Sequence, residues 1–198
     1  MITSPAFRGK RFAVLGLARS GAATVRSLVA SGASVVGWDD NETTLQALFE
    51  QLKLDRQEIG AEPLLTSKNW MLATDLSGFD AIIVSPGVPL NRHPVTEKAA
   101  RYGLPIIGDI ELFAQARASL PPHRVIGITG TNGKSTTTAL IHHIVRTAGI
   151  PTTLGGNIGL PILGQDPLPD GGVYVLELSS YQIDLTQSLD CDVAVLLN

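Results

Sequence analysis

Short apolar runs rich in β-branched residues alternate along this chain with stretches of helical composition, the rhythm of parallel strands joined by crossover helices. Arg11-Phe12-Ala13-Val14-Leu15 is the first such run. Residues 22–30 read as a helix closed by Gly32, and Ser34-Val35-Val36-Gly37-Trp38 as the second strand. Residues 45–54 look helical, and the region from there to Asn69 is polar and irregular. Phe79-Asp80-Ala81-Ile82-Ile83-Val84 suits a strand buried on both faces. Residues 95–102 read as a helix stopped by Gly103, residues 104–107 as a short strand, and Gly108-Asp109-Ile110-Glu111-Leu112-Phe113 as the start of another helix.

The pattern then restarts. Ser119-Leu120-Pro121-Pro122-His123 is the clearest linker, so two domains are expected, at residues 1–120 and 123–198. Val125-Ile126-Gly127-Ile128-Thr129 leads into a Gly-rich turn and a helix at residues 139–145. Val173-Tyr174-Val175-Leu176-Glu177-Leu178-Ser179-Ser180 is a strand interrupted by one acid, and residues 192–198 are a second strand of buried type. The expected fold class is α/β, with a Rossmann-like parallel sheet followed by a second α/β domain.

Chemistry enters at that turn. Gly130-Thr131-Asn132-Gly133-Lys134-Ser135-Thr136, between strand and helix, has the context of a phosphate-binding loop. Its backbone amides would face an anion, Lys134 the β/γ-phosphates, and the Ser135 hydroxyl a Mg²⁺ ion. One departure stands out: the strict pattern wants glycine where Ile128 is found. The alternative is a Gly-rich turn that only caps a helix. Glu177, near the end of a buried strand downstream, is placed to hold Mg²⁺ directly or through water. Asn157 lies between Gly155-Gly156 and Gly159, where backbone can approach a ligand; a plain turn is the alternative.

The first domain carries Gly16-Leu17-Ala18-Arg19-Ser20-Gly21, a dinucleotide fingerprint with its middle glycine replaced by Ala18, and Asp39-Asp40 closes the second strand as that fingerprint expects. The Ala18 methyl crowds the closest approach to a pyrophosphate, which favours another nucleotide or a nucleotide-sugar over NAD. Alternatively, Asp39 and Asp40 simply end a strand in solvent. Ser85-Pro86-Gly87 follows another strand, where α/β sheets bind ligands, and reads equally as a Pro-Gly turn. Asp109 and Glu111 could be a functional pair or could complement a helix dipole.

Composition narrows the partners. The net charge is −3 without blocks of like charge, which points away from nucleic acid and membrane surfaces. Cys191 is the only cysteine and no apolar run reaches the roughly 18 residues of a membrane span. Residues 1–11 lack the apolar stretch of a signal peptide, so a cytoplasmic protein is expected. The histidines His93, His123, His142 and His143 have no metal-ligand spacing.

Together the phosphate loop, Gly155-Gly156-Asn157-Ile158-Gly159 and Leu176-Glu177-Leu178-Ser179-Ser180-Tyr181-Gln182 resemble the Mur ligases of bacterial peptidoglycan synthesis. The Gly16–Gly21 loop, Ser85-Pro86-Gly87 and Gly108-Asp109-Ile110-Glu111-Leu112-Phe113 resemble the branch of that family that adds D-glutamate. The resemblance implies a cytoplasmic reaction that consumes ATP with Mg²⁺. The carboxylate of UDP-N-acetylmuramoyl-L-alanine becomes an acyl phosphate, and the amine of D-glutamate displaces the phosphate. It implies that Gly130, Thr131, Asn132, Gly133, Lys134, Ser135 and Thr136 hold ATP, with Lys134, Asn157 and Glu177 catalytic and Ser135 and Glu177 at the metal. It assigns Arg19, Ser20, Asp39, Asp40, Ser85, Pro86, Gly87 and Asn157 to the UDP-sugar.

The resemblance also implies a second domain completed beyond Asn198, a further C-terminal domain, and a monomer at full length. On that reading the P-loop ATPase domain is incomplete here, and these 198 residues alone do not complete ligation. Two other readings remain: another acid–amino-acid ligase of the same family, and a non-catalytic module that binds a dinucleotide.

Overall fold

The computed structural model describes residues 1–54, 64–66 and 74–198, which divide by their contacts into two units. One spans Thr3–Asp109, and the other joins Met1–Ile2 to Ile110–Asn198.

The first unit is a parallel sheet. Its strands are β1 (Arg11–Leu15), β2 (Ser34–Trp38), β3 (Leu64–Thr66), β4 (Ala81–Val84) and β5 (Ile106–Ile107), in the order β3-β2-β1-β4-β5. The helices α1 (Arg19–Ala30), α2 (Glu42–Leu54) and α3 (Val95–Tyr102) alternate with them. β4 and β1 after Arg11 are apolar because both faces are covered, with Val14 and Ile82 wholly buried, as is Leu28 of α1. Gly32 and Gly103, at φ +83° and +64°, end α1 and α3 in the left-handed conformation expected of them. β3 falls within the stretch read from sequence as irregular; the rest of that stretch, from residue 55 to Asn69, lies outside the described residues.

The second unit contains α4 (Asp109–Ala116), whose first residue belongs to the other unit, then β6 (His123–Gly130), α5 (Lys134–Thr147), β7 (Thr152–Gly156), β8 (Gly172–Glu177), α6 (Ser180–Asp184) and β9 (Val193–Leu197). Its strands are parallel in the order β7-β8-β6-β9. Ile128, Val173 and Val175 form a core against which Ile141 and Val145 of α5 pack. β9 differs from its sequence reading. It is an edge strand among the described residues, and Val193 and Leu196 are 50% and 80% exposed.

The contact boundary falls at Asp109 and Ile110, before the Pro-Pro linker rather than within it. The reason is α4. Phe113 packs edge-on against Tyr174 of β8 with ring centroids 5.0 Å apart. The Glu111 carboxylate accepts four hydrogen bonds: Gln115 Nε2 and Ser188 Oγ at 2.9 and 2.7 Å, and the Gln187 and Ser188 amides at 2.7 and 2.8 Å. Glu111 is buried and anchors the chain before β9.

Burial opposes ionisation of Glu111, but these hydrogen bonds outweigh it and hold the carboxyl below its ordinary value of 4.5. A depressed carboxyl contributes stability that is complete above its unfolded value and is lost as pH falls through the folded one. Glu111→Ala should cost about 3 kcal/mol at pH 7, and the deficit should shrink below about pH 4.5 as the wild type loses the same interaction. Urea unfolding of both proteins at pH 7 and pH 4 measures this; equal deficits at both values would refute it.

Candidate functional site

In the first unit the chemistry gathers at the carboxyl ends of β1, β2 and β4, where the strand order reverses direction around β1. Gly16 adopts φ +83° directly after β1. Its carbonyl accepts from Ser85 Oγ at 2.7 Å, which ties the loop after β1 to the loop after β4. Gly21 is required for a different reason: a Cβ there would lie 1.8 Å from the Gly16 carbonyl oxygen, so the loop and α1 meet backbone to backbone. Ala18, the departure from the fingerprint, precedes α1 as its N-cap and is exposed.

A cleft of about 330 Å³ opens here, lined by Gly16, Asp39, Asp40, Gly87, Val88 and His93 among others. Asp39 is engaged by the protein itself. Its Oδ2 accepts from the Leu17 amide at 2.6 Å and its Oδ1 from the Asn41 amide at 2.9 Å. The residue read as a ligand contact thus also shapes the loop that would hold the ligand. Ser85 braces that loop, while Arg19, Ser20 and Pro86 are not among the residues lining the cleft. His93, given no role from sequence, lines it; its Nδ1 accepts from the Val95 amide at 3.2 Å at the start of α3.

In the second unit the phosphate loop connects β6 to α5. Ile128, where the strict motif wants glycine, is wholly buried inside β6, so the turn begins only at Gly130. Gly127 also belongs to the strand; a Cβ there would sit 2.8 Å from Cys191 Sγ. Gly130, at φ +140°, passes so close to β9 that a Cβ would lie 2.0 Å from the Leu197 carbonyl oxygen. Gly133 is the N-cap of α5 at φ +81°, with no side-chain cap on the helix amides. Uncapped amides at the start of a 14-residue helix favour an anion. Lys134 Nζ donates to the Gly130 and Thr131 carbonyls at 2.7 and 3.2 Å. The Thr131 and Asn132 amides donate to Asn198, and Ser135 and Thr136 are exposed on the first turn of α5.

Beside this loop, β8 pairs with β6 in a register that sets Glu177 opposite Ile128. Glu177 is 1% exposed. Asn157 meets it twice, with its amide on the Glu177 carbonyl at 2.8 Å and its Nδ2 on Oε1 at 2.7 Å. Gly156 makes this approach possible, since a Cβ on it would lie 2.1 Å from the Glu177 carbonyl oxygen. The second carboxylate oxygen, Oε2, is buried without a hydrogen-bond partner. A buried carboxylate left half satisfied is costly, and its free oxygen has the chemistry to take a divalent cation. No cluster of three acidic, histidine or cysteine ligands exists among the described residues, so the remaining ligands of such an ion would be Ser135, phosphate oxygens and water.

Sequence reasoning missed α6. Its signal was present, because Ser179-Ser180-Tyr181-Gln182 spells a capping box in which the Ser179 and Gln182 side chains answer each other's backbone amides. Asn157 was grouped with both the catalytic and the UDP-sugar residues; the structure joins it to Glu177. Among the described residues no helix is long and apolar enough to cross a membrane.

Comparison with known proteins adds the following. Residues 10–108 match the Mur ligase MurD-like N-terminal domain, and residues 128–198 the Mur ligase middle domain. Proteins named UDP-N-acetylmuramoylalanine–D-glutamate ligase from Novosphingobium aromaticivorans, Zymomonas mobilis and Caulobacter vibrioides are 64%, 60% and 46% identical over the whole of this chain. The chain spans under half of those relatives, 42%, 45% and 41% of their respective lengths. The crystal structure of UDP-N-acetylmuramate:L-alanyl-gamma-D-glutamyl-meso-diaminopimelate ligase from Neisseria meningitides superposes with a TM-score of 0.50 at 20% identity, over 85% of this chain and 52% of that one. That likeness concerns the fold.

Proposed function

The chain belongs to the Mur ligase family, and from that membership we propose that it carries the nucleotide-sugar and ATP sites of a ligase joining D-glutamate to UDP-N-acetylmuramoyl-L-alanine. The same reading sets the reaction in the cytoplasm, in peptidoglycan precursor synthesis. The observation that carries it is Glu177, buried beside the phosphate loop with one oxygen on Asn157 and the other without a donor.

A carboxylate is a poor acyl donor. Transfer of the γ-phosphoryl group of ATP to it forms a carboxyl–phosphate bond and releases ADP. The D-glutamate amine then attacks the acyl carbon, inorganic phosphate leaves, and the amine loses a proton. Such transfers need positioning and charge neutralisation rather than a protein nucleophile. The loop amides and the start of α5 would bind the phosphates. Lys134 would exchange its two carbonyl contacts for phosphate oxygens, since an ammonium gains more from an anion than from a neutral carbonyl. Glu177 and Ser135 would hold Mg²⁺, which when bound neutralises the phosphate charge. In the first unit the Gly16 loop, Asp39, Asp40 and the Ser85–Gly87 loop would hold the UDP-sugar, with Arg19 and Ser20 at the start of α1.

Calorimetric titration with UDP-N-acetylmuramoyl-L-alanine, beside NADH, tests the first half. The UDP-sugar should bind and NADH should not. Asp39→Ala should weaken binding at least about tenfold, because both loop amides it holds lose their acceptor. Binding of NADH in place of the UDP-sugar would refute the proposal and leave a dinucleotide module.

A further inference from the structure

Gln165 belongs to none of the loop motifs, yet it is 7% exposed and its amide spans the turn that presents Asn157. Its Nε2 donates to the Leu154 carbonyl on β7 at 3.1 Å and to the Leu160 carbonyl beyond the turn at 2.8 Å. Its Oε1 accepts from Thr153 Oγ1. Leu154 and Leu160 each lie three residues from Asn157, one on either side. A Cβ at Gly155 would come within 3.1 Å of Gln165 Nε2, so the amide is packed directly against the end of β7 that leads into the turn.

Residues 157–161 form neither helix nor strand, and Gly159 adopts φ +78°. A turn that follows two glycines and passes through a third has conformational entropy to lose and needs bracing to present one geometry. A buried primary amide with both hydrogens on carbonyls has a single satisfied orientation, which makes it a stiff brace.

We propose that Gln165 is a positioning residue: it holds turn 157–161 so that Asn157 meets Glu177, and thereby sets the affinity of the free Glu177 oxygen for a divalent cation. The cation half rests on the function proposed above. Asn157 supplies the donor on Glu177 Oε1. When the turn loosens, that oxygen loses its donor and the carboxylate is free to rotate. Outer hydrogen bonds of this type change metal affinity by about 10- to 100-fold.

The test uses ¹⁵N-labelled protein and three variants, Gln165→Met, Thr153→Val and Asn157→Ala. The Asn157 side-chain amide signals, identified by their loss in Asn157→Ala, should be displaced from free-amide values in the wild type. They should move to free values in Gln165→Met and stay in place in Thr153→Val, which disturbs only the strand side of the brace. Mn²⁺ affinity in the presence of ATP should fall about tenfold in Gln165→Met, and Asn157→Ala/Gln165→Met should bind no more weakly than Asn157→Ala alone. If Gln165→Met does not fold, Gln165→Asn keeps the amide but withdraws it by one methylene and should shift the signals in the same direction. Unmoved Asn157 signals, or additive losses in the double variant, would overturn the proposal. Unchanged Mn²⁺ affinity in Gln165→Met, with tight binding by the wild type, would remove the cation role alone. Absence of Mn²⁺ binding by the wild type would remove the cation reading as well.

Discussion

On the proposed function, replacing Lys134 by Ala in the full-length ligase should lower ATP-dependent phosphate release about a thousandfold, roughly 4 kcal/mol of transition-state stabilisation, while leaving the fold intact. Lys134 is the only charged residue in the run Gly130–Thr136. Its present contacts are neutral carbonyls of the turn, at 2.7 and 3.2 Å, and Thr131 is exposed enough to exchange its bond for water. On the proposed function the loss would therefore fall on the transferred phosphoryl group and not on packing. Lys134→Arg should not restore the rate, because a planar guanidinium cannot occupy the place of a compact ammonium. Phosphate release at saturating UDP-sugar and D-glutamate, with melting temperature measured alongside, checks this. Binding of the UDP-sugar should be unchanged. A variant that retains a tenth of the rate would argue against Lys134 as the phosphoryl-stabilising group.

Gly21→Ala should destabilise the first unit by at least about 3 kcal/mol, through contact with backbone and not through loss of flexibility. The added methyl would lie 1.8 Å from the Gly16 carbonyl oxygen and 2.8 Å from its carbon. No rotamer relieves a clash between a Cβ and a main-chain oxygen, so the loop and α1 must separate. That separation would also displace Ser85 Oγ, which lies 2.9 Å from the same point and donates to the same carbonyl. In calorimetric melting, the transition of this unit should fall by at least about 12 °C, and UDP-sugar binding should weaken with it. Ala at Gly87, where a Cβ meets nothing within 4 Å, is the matched control and should leave melting unchanged. Equal melting of the two variants would show that the loop can give way.

The strands most legible in sequence were those whose burial is uniform. β4 and, apart from the acid Glu177, β8 are buried apolar runs because both faces of a parallel sheet are covered, and composition alone reports that. β9 reads in the same way, yet its place at the edge exposes Leu196. The phosphate loop was legible because glycine, lysine and serine at that spacing have few other uses, and Glu177 because an acid inside an apolar strand needs a reason.

Other parts of the site arise from contacts between distant residues. The Asn157–Glu177 pair spans 20 residues, the brace from Ser85 to Gly16 spans 69, and the anchor from Glu111 to Ser188 spans 77. A side chain's local pattern reports its burial and its element, while its hydrogen-bond partner depends on the register and order of strands formed elsewhere in the chain. Glu111 shows the difference: helix-start acids are ordinarily dipole complements, and only the fold brings residues 187–188 to this one. Gly21 shows it again, since its fingerprint position was evident from spacing but the approach to the Gly16 carbonyl exists only once α1 packs against β1. The sequence by itself determined the alternation of strands and helices, the glycine-rich turn between β6 and α5, and the family. The tertiary structure alone decided that Asp39 holds the loop it was expected to serve, that Glu177 has one oxygen still unsatisfied, and that Gln165 braces the turn beside it. Each of those depends on distances between residues that only the folded chain brings together.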